Sequence, residues 1–192
     1  MFVDKNNIRN FAPLLKKINA LGYLKQYILP FSSLSLEKHL YHYDIDDKFF
    51  AEFEYSEIEQ ASINVDLTLD RQERMLVLDF AIKGSINVMC DRCLDYFDFA
   101  VDKQERLIIK LGESFEEESD DVLIIPESEH QIDISPYLYE YIVLMLPIKK
   151  THPEDENGNT QCNPEIIKRL NELSKHEPDS RWDSLKDLIT DN

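Results

Sequence analysis

Apolar and polar residues alternate most regularly between Ile63 and Ile82. Ile63, Val65, Leu67 and Leu69 alternate with Asn64, Asp66 and Thr68; after the polar turn Arg71-Gln72-Glu73-Arg74 the pattern resumes in Leu76, Leu78, Phe80 and Ile82. A period of two sends like residues to one side of a strand, so this stretch predicts an antiparallel hairpin with one buried face. Gly84 permits a bend or bulge, and Ile86 and Val88 carry the strand onward. Phe97, Phe99 and Val101, then Leu107, Ile109 and Leu111, extend the meander, and Val122 to Ile125 adds a strand closed by Pro126. Upstream, Leu24, Gln26 and Ile28 alternate with Lys25 and Tyr27, and Tyr41, Tyr43 and Ile45 with His42 and Asp44, predicting two further short strands. His39 and His42 are read as strand-surface residues with no ligand role.

Elsewhere the period is helical. Ile8, Phe11, Leu14, Leu15, Ile18 and Leu21 recur at threes and fours between lysines and predict a basic amphipathic helix ended by Gly22. Asp46-Asp47 caps a short helix toward Glu59 that carries Phe49, Phe50, Phe53 and Ile58. Ser135-Pro136 opens another, with the hydroxyl as N-cap, the stripe Leu138, Ile142 and Met145, and Pro147 at its end. Asn163-Pro164 repeats that signal before Ile166, Ile167, Leu170 and Leu173; Asp179-Ser180 starts a last helix, 181–189, with Trp182, Leu185 and Leu188 on one face. The expected fold is α+β, an antiparallel β-sheet or partly closed barrel followed by C-terminal helices. Residues 1–23 form an N-terminal extension; 24–192 form the domain, mainly β over 24–125 and mainly helical over 126–192.

Charge narrows the function classes. The 192 residues carry 38 acidic and 21 basic side chains, a formal net charge of -17. Such a body repels a nucleic-acid surface and suits basic partners. Glu113, Glu116, Glu117, Glu118, Asp120 and Asp121 crowd one run that predicts a mobile loop, without the glycine and ligand spacing of a calcium loop. The longest apolar run, Tyr141 to Leu146, is too short to span a membrane, and the first residues do not read as a secretory signal. Three cysteines make no disulfide framework, so the expected compartment is a reducing cytoplasm.

Those cysteines are the candidate chemistry. Cys90-Asp91-Arg92-Cys93 offers two thiols at i and i+3, able to converge on one Zn²⁺. Cys162 and His152 lie together in a later polar loop and would complete a structural Cys₃His site, with His130 or Glu154 as alternatives for the fourth ligand. The plainer reading makes the cysteines small half-buried hydrophobes. A redox role is less well served, because the C-x-x-C follows the strand Ser85-Ile86-Asn87-Val88-Met89 and not a helix N-terminus.

The order Cys90-Asp91-Arg92-Cys93-Leu94 with Phe97, Asp133-Ile134 leading to Leu144-Met145-Leu146-Pro147, His152 through Cys162, and Arg181-Trp182-Asp183-Ser184-Leu185-Lys186 resembles the YceD family of bacterial proteins. The expanded loop at Pro153 to Gly158 and Asn163-Pro164-Glu165 resembles its Bacteroidetes type, and the resemblance covers Leu24 to the end. It implies a non-enzymatic cytoplasmic factor in accumulation of large-subunit ribosomal RNA, often encoded beside a small zinc-ribbon protein of the large subunit. Read with the charge, it points to an acidic adaptor for a basic large-subunit ribosomal protein or a pre-ribosomal particle. Trp182 and Leu185 are candidate docking anchors, against the plainer reading of Trp182 as core. The rivals are a direct ribosomal-RNA binder using the basic N-terminal segment and a zinc knuckle, and a metal-linked thiol switch. An enzyme is disfavoured: no G-x-S-x-G, phosphate loop, H-E-x-x-H or Rossmann fingerprint occurs, and only four glycines are present.

Overall fold

The computed structural model describes residues 22–156 and 158–174. The expected helix over residues 1–23, save its last two residues, and the final helix with Trp182 and Leu185 lie outside them. The described chain divides into two compact units: 22–87 with 98–147, and 88–97 with 148–174.

The first unit grows from the predicted hairpin. β3 (Gln60–Arg71) and β4 (Met75–Met89) pair antiparallel from Arg71↔Leu76 to Gln60↔Asn87, with Gln72 N–H donating to the Met75 carbonyl at 2.9 Å across the turn. The inward positions are sealed, Val65, Leu69, Leu78 and Ile82 having no exposed surface. Ahead of β3 lie β1 (Ile28–Leu29), β2 (Lys38–Ile45) and α1 (Asp47–Ala51). After β4 follow β5 (Tyr96–Gly112), β6 (Glu116–Ser119), β7 (Val122–Pro126), β8 (Ile132–Asp133) and α2 (Ser135–Leu144). Six strands form an open sheet in the order β2-β3-β4-β5-β7-β6, so it is not a closed barrel; β1 and β8 form a separate pair. The architecture is α+β.

Gly84 opposes Ile63 in an unbroken ladder, so no bulge forms there. The strands approach so closely that a Cβ at Gly84 would sit 2.1 Å from the Ser62 carbonyl oxygen, at a φ of 155°. Glycine is required by contact with the neighbouring backbone.

Several local expectations are corrected. Leu24–Tyr27 is a 3-10 turn and not the start of a strand, because burying Leu24 and Tyr27 together needs a spacing of three. The helix expected from Asp46 toward Glu59 stops at Ala51, although Asp46 caps it by accepting from Lys48 N–H at 3.1 Å. The acidic run is not all loop: Glu116–Ser119 is a strand, wholly exposed and antiparallel to β7. β7 lies parallel to β5, because Leu123 and Ile125 need an interior slot and the acidic strand takes the edge. At α2 the N-cap position is Ile134 and not Ser135, which is the first helical residue; Asp133, just ahead, supplies the acceptor, its Oδ1 taking Ser135 N–H at 2.9 Å and the hydroxyl at 2.7 Å. Tyr141 of α2 meets Phe80 of β4 edge-on, ring centroids 5.6 Å apart, which lays the helix on the sheet.

Candidate metal centre

The chain leaves β4 at Met89 and reverses at once. Leu94 N–H donates to the Cys90 carbonyl at 2.9 Å and Cys90 N–H to the Asp95 carbonyl at 3.0 Å, closing a knuckle in which Arg92 N–H points at the Cys90 Sγ, 3.4 Å away. Leu94 turns the backbone with a φ of 65°, the left-handed region that glycine fills more cheaply. This turn puts both thiols on its inner side, and Cys90 and Cys93 are 0% and 3% exposed.

The second stretch is fastened to the first. Asp91 N–H donates to the Lys150 carbonyl at 2.7 Å, and the Asp91 Oδ2 accepts from Lys150 N–H at 2.6 Å. His152 is followed by a small loop closed by the Glu154↔Thr160 bridge, in which Asp155 accepts from Asn159 N–H at 2.7 Å. The loop returns the chain at Cys162, whose N–H donates to the Thr160 hydroxyl oxygen at 3.2 Å. Asn163 then caps α3 (Pro164–Leu173) by accepting from Glu165 N–H, and its Nδ2 donates to the Asp95 carboxylate at 3.1 Å. Asp91, Asp95 and Asn163 thus tie the knuckle to the later stretch without entering the cluster.

The four donors expected from sequence converge. The thiols of Cys90, Cys93 and Cys162 and a ring nitrogen of His152 all lie within 4.8 Å of one another. Cys90 and Cys162 sulfurs are 3.7 Å apart, too far for a disulfide, and the Cys93 Sγ is 3.5 Å from His152 Nδ1. Zn–S and Zn–N bonds of ordinary length at a tetrahedral angle give edges of about 3.8 Å between sulfurs and about 3.6 Å between sulfur and nitrogen. The donor set and both spacings therefore fit a four-coordinate metal ion. Neither His130, whose backbone carbonyl accepts from Ser32 N–H, nor Glu154 belongs to the cluster.

The surroundings favour thiolate at one position and resist it at another. Burial raises the Cys90 thiol, but backbone N–H groups of Cys93 and Arg92, with His152, outweigh it and bring the pKa down to about 6. Burial holds Cys162 above the ordinary thiol range. Phe97, Ile166 and Ile167 pack against the sulfurs, and the Phe97 ring lies 4.6 Å from that of His152. A second thiolate in this dry pocket is costly alone and is relieved by a bound dication.

Sequence reasoning named the four residues that converge but missed the fastening residues. Asp91, Asp95 and Asn163 read as ordinary turn and cap residues; only the crowding of carboxylates beside a C-x-x-C hinted at more. Trp182 and Leu185 lie outside the described residues. Among the described residues no helix is long and apolar enough to cross a membrane.

The family described as Large ribosomal RNA subunit accumulation protein YceD matches residues 78–189, more than half of the chain and all four donors. No curated protein and no solved structure matches the chain.

Proposed function

The chain belongs to the YceD family, and from that premise we propose a non-enzymatic, cytoplasmic ribosome-biogenesis factor that works as an acidic adaptor for a basic large-subunit ribosomal protein, free or on a pre-ribosomal particle. The family description supplies the role in accumulation of large ribosomal RNA. The observation that carries the adaptor reading is the charge of -17, part of it set on exposed strand positions. β6 exposes Glu116, Glu117 and Glu118, and the outward positions of β3 are Gln60, Ser62, Asn64, Asp66, Thr68 and Asp70. Single-stranded RNA is gripped by cations along a groove and by aromatic rings on which bases stack, and the outward side of β3 offers neither. A basic protein gains from the same surface.

Zn²⁺ is the metal that best suits three thiolates and one imidazole, and when bound it supplies a closed structural clamp. Cys90 and Cys93 would hold it from the knuckle, His152 and Cys162 from the two ends of the loop that leads into α3. Trp182 and Leu185 remain in this reading as docking anchors for the partner.

The test is titration of the purified chain with basic large-subunit ribosomal proteins and, separately, with fragments of large-subunit ribosomal RNA at physiological salt. Saturable binding to a protein, weakening as salt rises and reduced in Trp182→Ala, is the expected result. Binding to RNA alone replaces the adaptor with an RNA binder. Elemental analysis is expected to find one zinc per chain, absent from Cys90→Ser and Cys162→Ser. Reversible loss of zinc on thiol oxidation, switching partner binding off, supports the thiol-switch alternative.

A further inference from the structure

Among the described residues the six-stranded sheet has two open edges, and only one of them is guarded. β6 carries three glutamates in its four residues, all exposed, and its register shifts between Glu117 and Ser119. Charge of one sign and a bulge are the usual devices that keep an edge from pairing with another chain. β2 has no bulge, and its two formal charges, Lys38 and Asp44, are of opposite sign. It runs Lys38-His39-Leu40-Tyr41-His42-Tyr43-Asp44-Ile45 beside β3 in continuous register from Lys38↔Asp70 to Ile45↔Ile63, with no proline and no shift. Its outward residues include Leu40, 80% exposed, while on the core side Tyr43 and Ile45 are buried and His39 and Tyr41 only half-buried.

We propose that β2 pairs with β2 of a second copy of this chain, antiparallel about a two-fold axis at Tyr41, joining two sheets into one. The sequence of the strand is its own complement in that register. With Tyr41 opposite its equivalent, Lys38 faces Asp44 of the other copy, and symmetry makes the contact twice. Leu40 faces His42, and His39 faces Tyr43. Centring the axis on Leu40 pairs Lys38 with His42, and centring it on His42 pairs Leu40 with Asp44 and moves Lys38 opposite Asp46, beyond the end of β2, so neither register sets opposite charges against each other within the strand. Residues directly opposite in an antiparallel pair are in side-chain contact, so the charges fix the register as well as favouring the pair. The pairing also covers the half-exposed Tyr41 and His39 on the core side and satisfies the row of backbone groups on the open edge. It is independent of the metal centre and of the adaptor reading.

Seven paired residues bury less than a standard interface of about 1,600 Å², so dimerisation is expected to be concentration-dependent over roughly 1 to 200 micromolar. The experiment is sedimentation velocity of the full chain over that range, beside Lys38→Asp, Asp44→Lys and the double variant carrying both changes, each with near-ultraviolet circular dichroism to verify the fold. The wild type is expected to dimerise. Each single change sets like charges opposite each other twice and is expected to weaken the dimer about tenfold; the double swap restores it to within about twofold. Asp44 also accepts from Asn64 Nδ2 at 2.6 Å, so Lys38→Asp is the cleaner single change. A wild type that stays monomeric overturns the proposal, as does a dimer indifferent to the single changes or not rescued by the swap. A monomer whose β2 amides resist hydrogen exchange overturns it too, since the edge is then covered from within the same chain.

Discussion

The two units of this chain have different interiors. The sheet unit buries Phe49, Phe50, Ile63, Val65, Leu67, Leu69, Leu78, Phe80 and Ile82 at 1% exposure or less. In the unit of residues 88–97 and 148–174 the buried positions are Val88 and the three cysteines, and α3 has no buried residue at all. Apolar area removed from water stabilises the first. The second has too little of it, as small units commonly do, and its sulfurs stand where a core would be. A sheet can thus be coded by alternation over many residues, whereas the interior of the small unit gathers around Cys90, Cys93, His152 and Cys162.

The largest expected effect follows from that arrangement. Structural zinc contributes on the order of 10–16 kcal/mol of apparent binding free energy in small metal-folded units. Stripping the metal, or Cys162→Ser, is expected to collapse the amide dispersion of residues 148–173 in an NMR spectrum while the amides of β3 and β4 keep their shifts. Retention of both sets of signals after chelation would break the contrast, leaving the cysteines as ordinary packing.

The converse experiment acts on the sheet. Phe80 is 1% exposed and meets Tyr141 edge-on. Phe80→Ala is expected to cost about 3–5 kcal/mol in urea unfolding, from lost burial and the cavity left behind. Below its lowered melting temperature the variant should still bind one metal ion per chain. Loss of metal in the folded variant would mean that the two units are not separately stabilised.

The same contrast explains what could be read from sequence. The hairpin was legible because a period of two over twelve residues has few other meanings, and the register places Val65 opposite Ile82 and Leu67 opposite Phe80 as that pattern requires. Cys90, Cys93, His152 and Cys162 were legible as a group because the chain has only three thiols and the later one shares its loop with an imidazole, and the four do lie together. Glu116–Ser119 was not, since a run of glutamates looks the same whether it is a loop or an edge strand chosen for repelling partners. The parallel placement of β7 depends on competition between two segments for one slot, which neither segment shows alone. Asp133 at the start of α2 was hidden because Ser135-Pro136 presents a stronger local cap signal.

A smaller effect tests the geometry of the knuckle. Leu94 holds a φ of 65° and is 65% exposed, so its side chain contributes little while its Cβ is crowded. Leu94→Gly is expected to gain about 1 kcal/mol, the left-handed strain relieved less the extra entropy of glycine in the unfolded chain. Competition with a zinc-sensitive dye should show roughly fivefold tighter metal binding and no change in the urea midpoint of the sheet. Weaker binding would show that the leucine side chain is needed where it lies.

The smallest effect separates the units by pH. His42, on the open strand β2, has its pKa raised above 6.5, chiefly by the hydrogen bond of its Nδ1 to Asp66 at 2.7 Å and further by the charge of Asp44. A raised pKa in the folded chain means that folding favours the protonated ring. The stabilisation is therefore fully present below about pH 6.5, the ordinary histidine value, and is lost as pH rises through the folded pKa. Metal ligation runs the other way, because acid protonates thiolates and imidazole and releases the ion. Lowering the pH from 8 toward 6 should slightly strengthen the sheet and weaken the metal-held unit, and His42→Gln should remove the first trend without touching the second. An NMR titration of the His42 ring checks the premise, and a ring that titrates at or below 6.5 would remove it.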